Sequence, residues 1–264
     1  MTSPYLKILR SEIKTNILLN LYKKKMTLTE LRAEVGSRDT TILHALKDLE
    51  DLKLTDKFER KYMLTTLGIM EAVILQGYSI TTETLSKFRD FWLQHEIKTI
   101  PPQLQRRIGD LYDSILIKNE SSELAKVHEN FLKILQNSKR IKGISPIFHP
   151  EFIETFNHLL RKGAVVELIL TNQVFEKIIE NAELDLIKKY IIKEKLKILL
   201  IDSSGLALTV TDNAFSLGLF TLTGEYDYRT DLISYTPEAR RWGEELFQHY
   251  LETAESIKLD GLIP

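Results

Sequence analysis

The side chains best placed to do chemistry together lie between residues 37 and 61. Thr40, His44 and Lys47 recur at helical spacing, Thr41 stands beside them, and Ser37 and Arg38 precede them. Hydroxyl, imidazole and ammonium groups three or four residues apart share one face of a helix. Such a face can reach base edges in a major groove, the residues near the helix N-terminus most deeply. Ser37 and Arg38 fall at the positive end of that helix, which suits a phosphate. Lys57, Arg60 and Lys61 follow within a short polar turn and offer cations to a backbone or a minor groove. The implied chemistry is recognition of double-stranded DNA. Ser37, Arg38, Lys57, Arg60 and Lys61 are expected on phosphates, and Thr40, Thr41, His44 and Lys47 nearest the bases.

The rest of the chain offers little for catalysis. His44, His95, His128, His149, His158 and His249 form no HExxH pair, and none lies beside a carboxylate pair suited to a metal. There is no GxSxG, no phosphate-binding lysine loop and no dinucleotide fingerprint. No histidine is followed two positions later by lysine, so a phosphodiesterase of the phospholipase D type is not supported. The absence of cysteine excludes disulfides, thiolate metal sites and cysteine nucleophiles, and fits a cytoplasmic location. No catalytic residue, metal site or cofactor is expected. Thr171, Asp202, Thr211, Asp212 and Tyr226 fall at predicted strand ends, where α/β sheets bind ligands. They are the candidate contacts for a small-molecule effector, although turn carboxylates are commonly just turn formers.

Charge is distributed unevenly. The net charge is −1, yet residues 1–70 hold 13 Lys/Arg against 9 Asp/Glu. A basic reader on a neutral-to-acidic body has this split. The opening stretch has no signal-peptide shape, and no run reaches the length of a membrane span.

Stepping along the chain, Ile13, Ile17 and Leu21 form one apolar stripe, led in by Leu6 and Leu9. Thr27 can cap a second helix, Leu28 to Val35, and Gly36 breaks it. Ser37 can cap a third helix running to about Leu52, with Ile42, Ala45, Leu46 and Leu49 on its inner face. Residues 54–58 and 60–65 read as a hairpin, and a fourth helix is expected over 66–76. This order predicts a winged helix-turn-helix over residues 1–78. Gly77-Tyr78-Ser79 punctuates the chain, and residues 79–120 read as a helical linker carrying Leu85, Phe88, Phe91 and Trp92.

From residue 121 to 264 the pattern becomes an α/β sheet domain flanked by helices. Helices are predicted over 123–136, 150–162, 173–181 and 183–193. Strands are predicted over 140–144, 165–171, 196–202, 207–211 and 215–221. The continuous apolar run at 165–171 is expected of a strand buried on both faces. Thr236 caps and Pro237 opens a last helix, on which Ala239, Trp242, Leu246 and Tyr250 share a face. The fold class is therefore a two-domain mixture of α+β and α/β.

An ordered set of residues gives the chain a resemblance. It includes Phe91-Trp92 with His95, Ile100-Pro101, Ile108-Gly109, Gly143-Ile144-Ser145-Pro146 with His149-Pro150, and Val166 to Thr171. It continues through Thr211-Asp212, Gly218-Leu219-Phe220, Gly224 with Tyr226-Asp227, and Trp242 to Phe247 with Tyr250. Over about residues 85–255 the chain resembles the archaeal methanogenesis-regulator family of filamentous methanogens. That resemblance implies a cytoplasmic archaeal transcription factor, homodimeric, with a sensor domain behind the winged helix. The tip between the two hairpin strands is short and lacks the glycines common in related wings. Two rival functions stay open: a protein-interaction module using the winged helix without DNA, and an enzyme with an accessory winged helix.

Overall fold

A computed structural model describes residues 6–119, 125–136 and 138–257. The chain divides into two compact units, Met1–Thr82 and Glu83–Pro264.

The first unit begins with α1 (Leu6–Leu9) and α2 (Glu12–Lys23), the latter capped by the Ser11 hydroxyl. A short strand β1 (Met26–Thr27) leads into α3 (Leu28–Val35). Thr27 and Glu30 form a reciprocal cap: the Glu30 carboxylate accepts from the Thr27 amide at 2.7 Å, and the Thr27 hydroxyl accepts from the Glu30 amide at 3.3 Å. That backbone hydrogen bond holds the Glu30 carboxyl below its ordinary range. Gly36 ends the helix at φ 68°, a left-handed conformation that glycine adopts without steric cost. Helix α4 spans Asp39–Asp51 and buries Ile42, Ala45, Leu46 and Leu49. These pack with Ile17, Leu18, Leu21 and Leu31 in one core.

The expectation that Ser37 caps α4 is corrected. The cap position belongs to Arg38, which makes no side-chain cap bond. Gly36 and Ser37 are used up in reversing the chain, so the helix starts later. Strands β2 (Thr55–Phe58) and β3 (Lys61–Leu64) pair antiparallel, with Phe58 opposite Lys61. With β1 they form a sheet of order β1-β3-β2. Helix α5 then runs Thr66–Lys87 without a break. The chain punctuation expected at Gly77-Tyr78-Ser79 is therefore absent. One helical glycine costs only about 1 kcal/mol, which the remaining turns of a long helix absorb.

The second unit opens with α6 (Arg89–Gln94), α7 (Pro102–Gln105), a 3₁₀ turn (Ile108–Leu111) and β4 (Ile115–Lys118). There follow α8 (Lys126–Gln136), β5 (Arg140–Ser145), α9 (Pro150–Arg161), β6 (Val165–Thr171), α10 (Asn172–Asn181), α11 (Leu184–Ile192) and β7 (Leu196–Ile201). Strands β8 (Leu206–Thr211), β9 (Phe215–Leu219) and β10 (Thr230–Ser234), helix α12 (Pro237–Leu251) and strand β11 (Glu255–Ser256) complete it. The eight strands are ordered β11-β7-β6-β5-β8-β9-β10-β4. Strands β5, β6 and β7 are mutually parallel, and the remaining pairings are antiparallel. The start expected for the helix at 123–136 falls partly on residues outside those described. Strands β4, β10 and β11 were not anticipated. The first lies in the presumed linker, the second has only Leu232 and Ile233 as adjacent apolar residues, and the third is two residues long.

Residues 88–111 are not a linker. Phe88, Phe91, Ile100, Leu104, Ile108 and Leu111 are buried in the same core as Trp242, Leu246 and Phe247 of α12. The Trp242 indole donates to the Leu104 carbonyl at 3.0 Å, and the Tyr250 hydroxyl donates to the Thr99 carbonyl at 3.0 Å. Short helices with one apolar face must bury it, and this face of the sheet is what they cover. His95 and Asp227 fasten the segment from below. The two are buried, with Nε2 3.2 Å from Oδ2, while His95 Nδ1 lies 2.7 Å from the Phe91 carbonyl.

The hairpin tip generates a prediction. Glu59 and Arg60 occupy φ 47° and 68° in a two-residue turn that favours Asn and Gly. Glu59→Asn should raise unfolding free energy by roughly 1 kcal/mol, since left-handed backbone costs an ordinary side chain about that much. Urea denaturation of the two proteins measures it, and a loss of stability would contradict the turn assignment.

Candidate functional site

Two places gather functional side chains. The first is the outer surface of α4 with the β2–β3 hairpin. Thr40, Thr41, His44 and Lys47 are all exposed, as are Arg38, Lys57, Arg60 and Lys61, while Ser37 is half-buried. Among the described residues, none of the cations Arg38, Lys47, Lys57, Arg60 and Lys61 is held in an ion pair. Lys57 rests its ammonium 4.9 Å from the Tyr62 ring centre. Asp48 is engaged inwards: Lys14 bonds it at 2.7 Å, and His44 Nδ1 lies 3.5 Å away. The Lys14 hydrogen bond, above all, holds the Asp48 carboxyl below its ordinary range. Asp39 places a carboxylate in the first turn of α4, 3.5 Å from Arg32. That negative charge competes with a phosphate at the very end expected to attract one. Sequence reasoning missed Phe58, which is 63% exposed at the hairpin tip, and Leu43, 44% exposed in mid-α4.

The second place is not the one predicted. Three of the five strand-end residues, Thr211, Asp212 and Asp202, make side-chain hydrogen bonds within the fold. The Thr211 hydroxyl accepts from the amides of Ala214 at 2.9 Å and Asn213 at 3.1 Å, which shapes the β8–β9 turn. Asp212 accepts from the Lys139 amide at 2.9 Å and the Arg140 amide at 3.2 Å. Burial works against its charge, but those amides prevail and hold the carboxyl below the usual range. Asp202 accepts from the Asn172 amide group at 3.3 Å, and Thr171 is buried at the cap position of α10. Tyr226, the fifth, lines a cavity.

That cavity, of about 430 Å³, lies between the sheet and helices α8 to α11. Its origin is in the strands. On β8 and β9, Leu206, Leu208, Val210, Phe215, Leu217 and Leu219 fill one face of the sheet beneath α12. The alternate residues are small: Ala207, Thr209, Ser216 and Gly218, with Gly143 on β5. Gly218 is so close to the Tyr226 hydroxyl that a Cβ there would lie 2.1 Å from it. The opposite wall is Phe131, Phe152, Phe156, Val174, Ile187 and Tyr190. Small residues facing large ones across a layer leave room, and the space has the size of a small-molecule pocket.

Asp231 also lines this cavity, and it is buried. Its Oδ2 accepts from the Ser216 hydroxyl at 2.7 Å, while Oδ1 has no hydrogen-bond partner among the described residues. Burial raises its carboxyl to about 6. The Ser216 bond and the nearby amides of Leu232 and Leu217 pull the other way. Burial, and the charge of Asp231, likewise push the Tyr226 hydroxyl upward, so it stays neutral. At the cavity edge, His128 of α8 meets His149, which caps α9, and Glu151 in the first turn of that helix. His128 Nε2 is 2.7 Å from Glu151 Oε2, and the three ligand atoms lie within 4.8 Å of one another. Two imidazoles and a carboxylate are a donor set that a transition metal accepts. The histidine spacing along the chain gave no sign of it, because the residues meet across two helices.

The two buried acids respond oppositely to pH. Burial opposes the charge of Asp227, but hydrogen bonds from Thr230, Arg229 and His95 outweigh it and hold the carboxyl low. Its stabilisation is complete above the ordinary aspartate range and is lost as pH falls through its lowered value. Asp227→Asn should therefore destabilise at neutral pH, the deficit shrinking in acid. Asp231 is the reverse: its cost grows as pH rises from the ordinary aspartate value of 3.8 and is complete above about 6. Asp231→Asn should stabilise at alkaline pH by up to ~3 kcal/mol, from the displacement between 3.8 and about 6, and leave stability in strong acid unchanged. Denaturation series across pH read both, and parallel curves for the two variants would refute the contrast.

Comparison with known proteins places these features. The family model described as the N-terminal domain of methanogenesis regulatory protein FilR1 matches residues 5–81. The model of the FilR1 middle domain matches residues 124–253. The methanogenesis regulatory protein FilR1 of Methanothrix harundinacea (strain 6Ac) is 32% identical over 251 residues, which is 94% of this chain and 56% of that protein. The chain thus spans about half the length of that curated relative. Among solved structures, the archaeal chromatin protein TrmBL2 aligns over 92% of this chain and 93% of its own, with 15% identity and a TM-score of 0.44. An IcIR transcriptional regulator from Alicyclobacillus acidocaldarius aligns over 94% and 96%, with 11% identity and a TM-score of 0.24. No described helix is long and apolar enough to cross a membrane. By its two domain matches and the identity spread along nearly its whole length, the chain belongs to the family of methanogenesis regulatory protein FilR1.

Proposed function

We propose that the chain is a cytoplasmic DNA-binding transcriptional regulator and not an enzyme. In this reading, residues 1–78 are a winged helix and the second unit responds to a small molecule. The observation that carries the reading is the set of exposed, ion-pair-free cations on α4 and the hairpin of a regulator-family domain. Charges that serve folding are normally paired or buried against a partner. These remain available to phosphates, whose neutralisation dominates DNA affinity. Helix α4 presents Thr40, Thr41, His44 and Lys47 to the major groove, and Arg38, Lys57, Arg60 and Lys61 hold the backbone. Ser37 contributes through its backbone position, because it does not cap the helix.

The regulator acts as a homodimer in this proposal, matching a two-fold site. Support comes from α5, on which Leu67, Met70, Ile74 and Tyr78 form an exposed stripe at helical spacing. Four large apolar groups in one row are more than isolated surface residues require. The effector occupies the cavity between the sheet and α8 to α11, in place of the strand-end set Thr171, Asp202, Thr211 and Asp212.

Fluorescence anisotropy with upstream DNA from the source genome tests the DNA reading. Lys47→Ala and Arg60→Ala should each weaken binding, and each lost phosphate contact should reduce the salt slope by about one. Unchanged affinity in the double variant would refute the assignment. Met70→Glu with Ile74→Glu should halve the mass measured by light scattering; a mass that does not change removes α5 from the dimer contact.

A further inference from the structure

The cavity of the second unit carries chemical information about its occupant. Its surface is overwhelmingly apolar and aromatic, and among the described residues no lysine or arginine lines it. An anionic ligand would sit against Asp231 at the floor, with the basic side chains His128 and His149 only at the edge. A wholly apolar ligand would leave that carboxylate as it is: buried, bonded by the Ser216 hydroxyl through Oδ2, near the amides of Leu232 and Leu217, and with Oδ1 unpartnered among the described residues. A carboxylate has room for several donors, and desolvating one without a cation is costly. The register explains why it faces the cavity. On β9 and β10, Leu217 lies opposite Leu232 in the filled face, so the neighbours Gly218 and Asp231 fall together on the other side. Gly218 and Ala207 leave the floor open beside the acid. Tyr226 adds a neutral hydroxyl over Gly218.

We infer that this cavity binds a small amphipathic amine, its ammonium on the Asp231 carboxylate and its apolar body among the aromatic side chains of α8, α9 and α11. The inference rests on the reading of the cavity as the effector site and names the class of molecule. The ammonium supplies the donors and the positive charge that the buried acid lacks. Ser216 fixes the carboxylate through Oδ2, and Phe131, Phe152, Phe156 and Tyr190 cover the chain or ring. An alcohol of the same shape would offer one donor and no charge. The corresponding acid would repel.

Three probes with one body separate these cases: 4-phenylbutylamine, 4-phenylbutan-1-ol and 4-phenylbutyrate, titrated calorimetrically into the full chain at about pH 8, above the raised Asp231 value of about 6. The amine should bind at least about tenfold more tightly than the alcohol, the excess expected of a charge-assisted over a neutral hydrogen bond, and the butyrate least. Asp231→Asn should abolish the amine's advantage and keep alcohol binding, which also shows that the variant is folded. Ala207→Leu, which fills the floor and leaves Asp231 in place, should weaken amine and alcohol alike. Equal affinity of amine and alcohol, or an amine preference that survives in Asp231→Asn, overturns the inference while the cavity stands as an effector site. Failure of all three probes to bind overturns the cavity reading itself.

Discussion

A sheet covered on both sides has to be filled on both sides, and the antiparallel half of this one is filled unevenly. It is filled fully beneath α12, but on the other side only towards β10 and β4, where Ile134, Ala214, Ile233 and Ile117 pack together. Along β8 and β9 the side chains under α12 are large and apolar, and their alternates are Ala, Thr, Ser and Gly. Because the strand period is two, the same residues that anchor Trp242 and Phe215 dictate which residues can face α8 to α11. A close-packed interior tolerates few voids, so a space of about 430 Å³ has to be maintained by the rigidity of what surrounds it. The parallel half supplies that rigidity. Strand β6 lies between β5 and β7, with the crossover helices packed on its face. Segment 88–111 serves the opposite side, where it completes the core that holds the antiparallel strands flat against α12.

The loop between β9 and β10 shows how finely burial and charge are balanced in this unit. Asp227 and Asp231 are four residues apart, both nearly inaccessible. The first is surrounded by donors: Thr230, the Arg229 amide and guanidinium, and His95. The second has the Ser216 hydroxyl, with the amides of Leu232 and Leu217 nearby. The chain therefore contains one acid that folding wants ionised and one that folding wants neutral, on opposite sides of the same strand entry. A satisfied buried acid is a fastener. One with an oxygen left unsatisfied costs stability and calls for a separate explanation.

Much of the architecture could be read from residue order. The run Val165–Thr171 announced a central strand, and Thr27 with Glu30, and Thr236 with Pro237, announced helix starts that the structure contains. The inner face of α4 was legible from Ile42, Ala45, Leu46 and Leu49. What escaped was set by tertiary contact. Gly77 stayed helical because the helix around it was long enough to carry it, and Phe88 to Leu111 could not be known as core without the sheet they cover. The second site was illegible for a sharper reason. Gly143, Ala207, Ser216, Gly218 and Asp231 become neighbours only through strand register, and His128 meets Glu151 only where two helices pack. Strand-end carboxylates such as Asp212 were visible in the sequence, but they clamp turns.

The hairpin tip of the first unit fixes how far that surface can extend. Only Glu59 and Arg60 separate the paired Phe58 and Lys61, and both are forced into left-handed backbone. A loop of glycines would sweep a volume and lose that freedom on contact. This tip is a short prong whose backbone is set by the ladder beneath it, with Phe58 and the flanking cations exposed on it. Its reach is that of its side chains, because the backbone turns back after two residues.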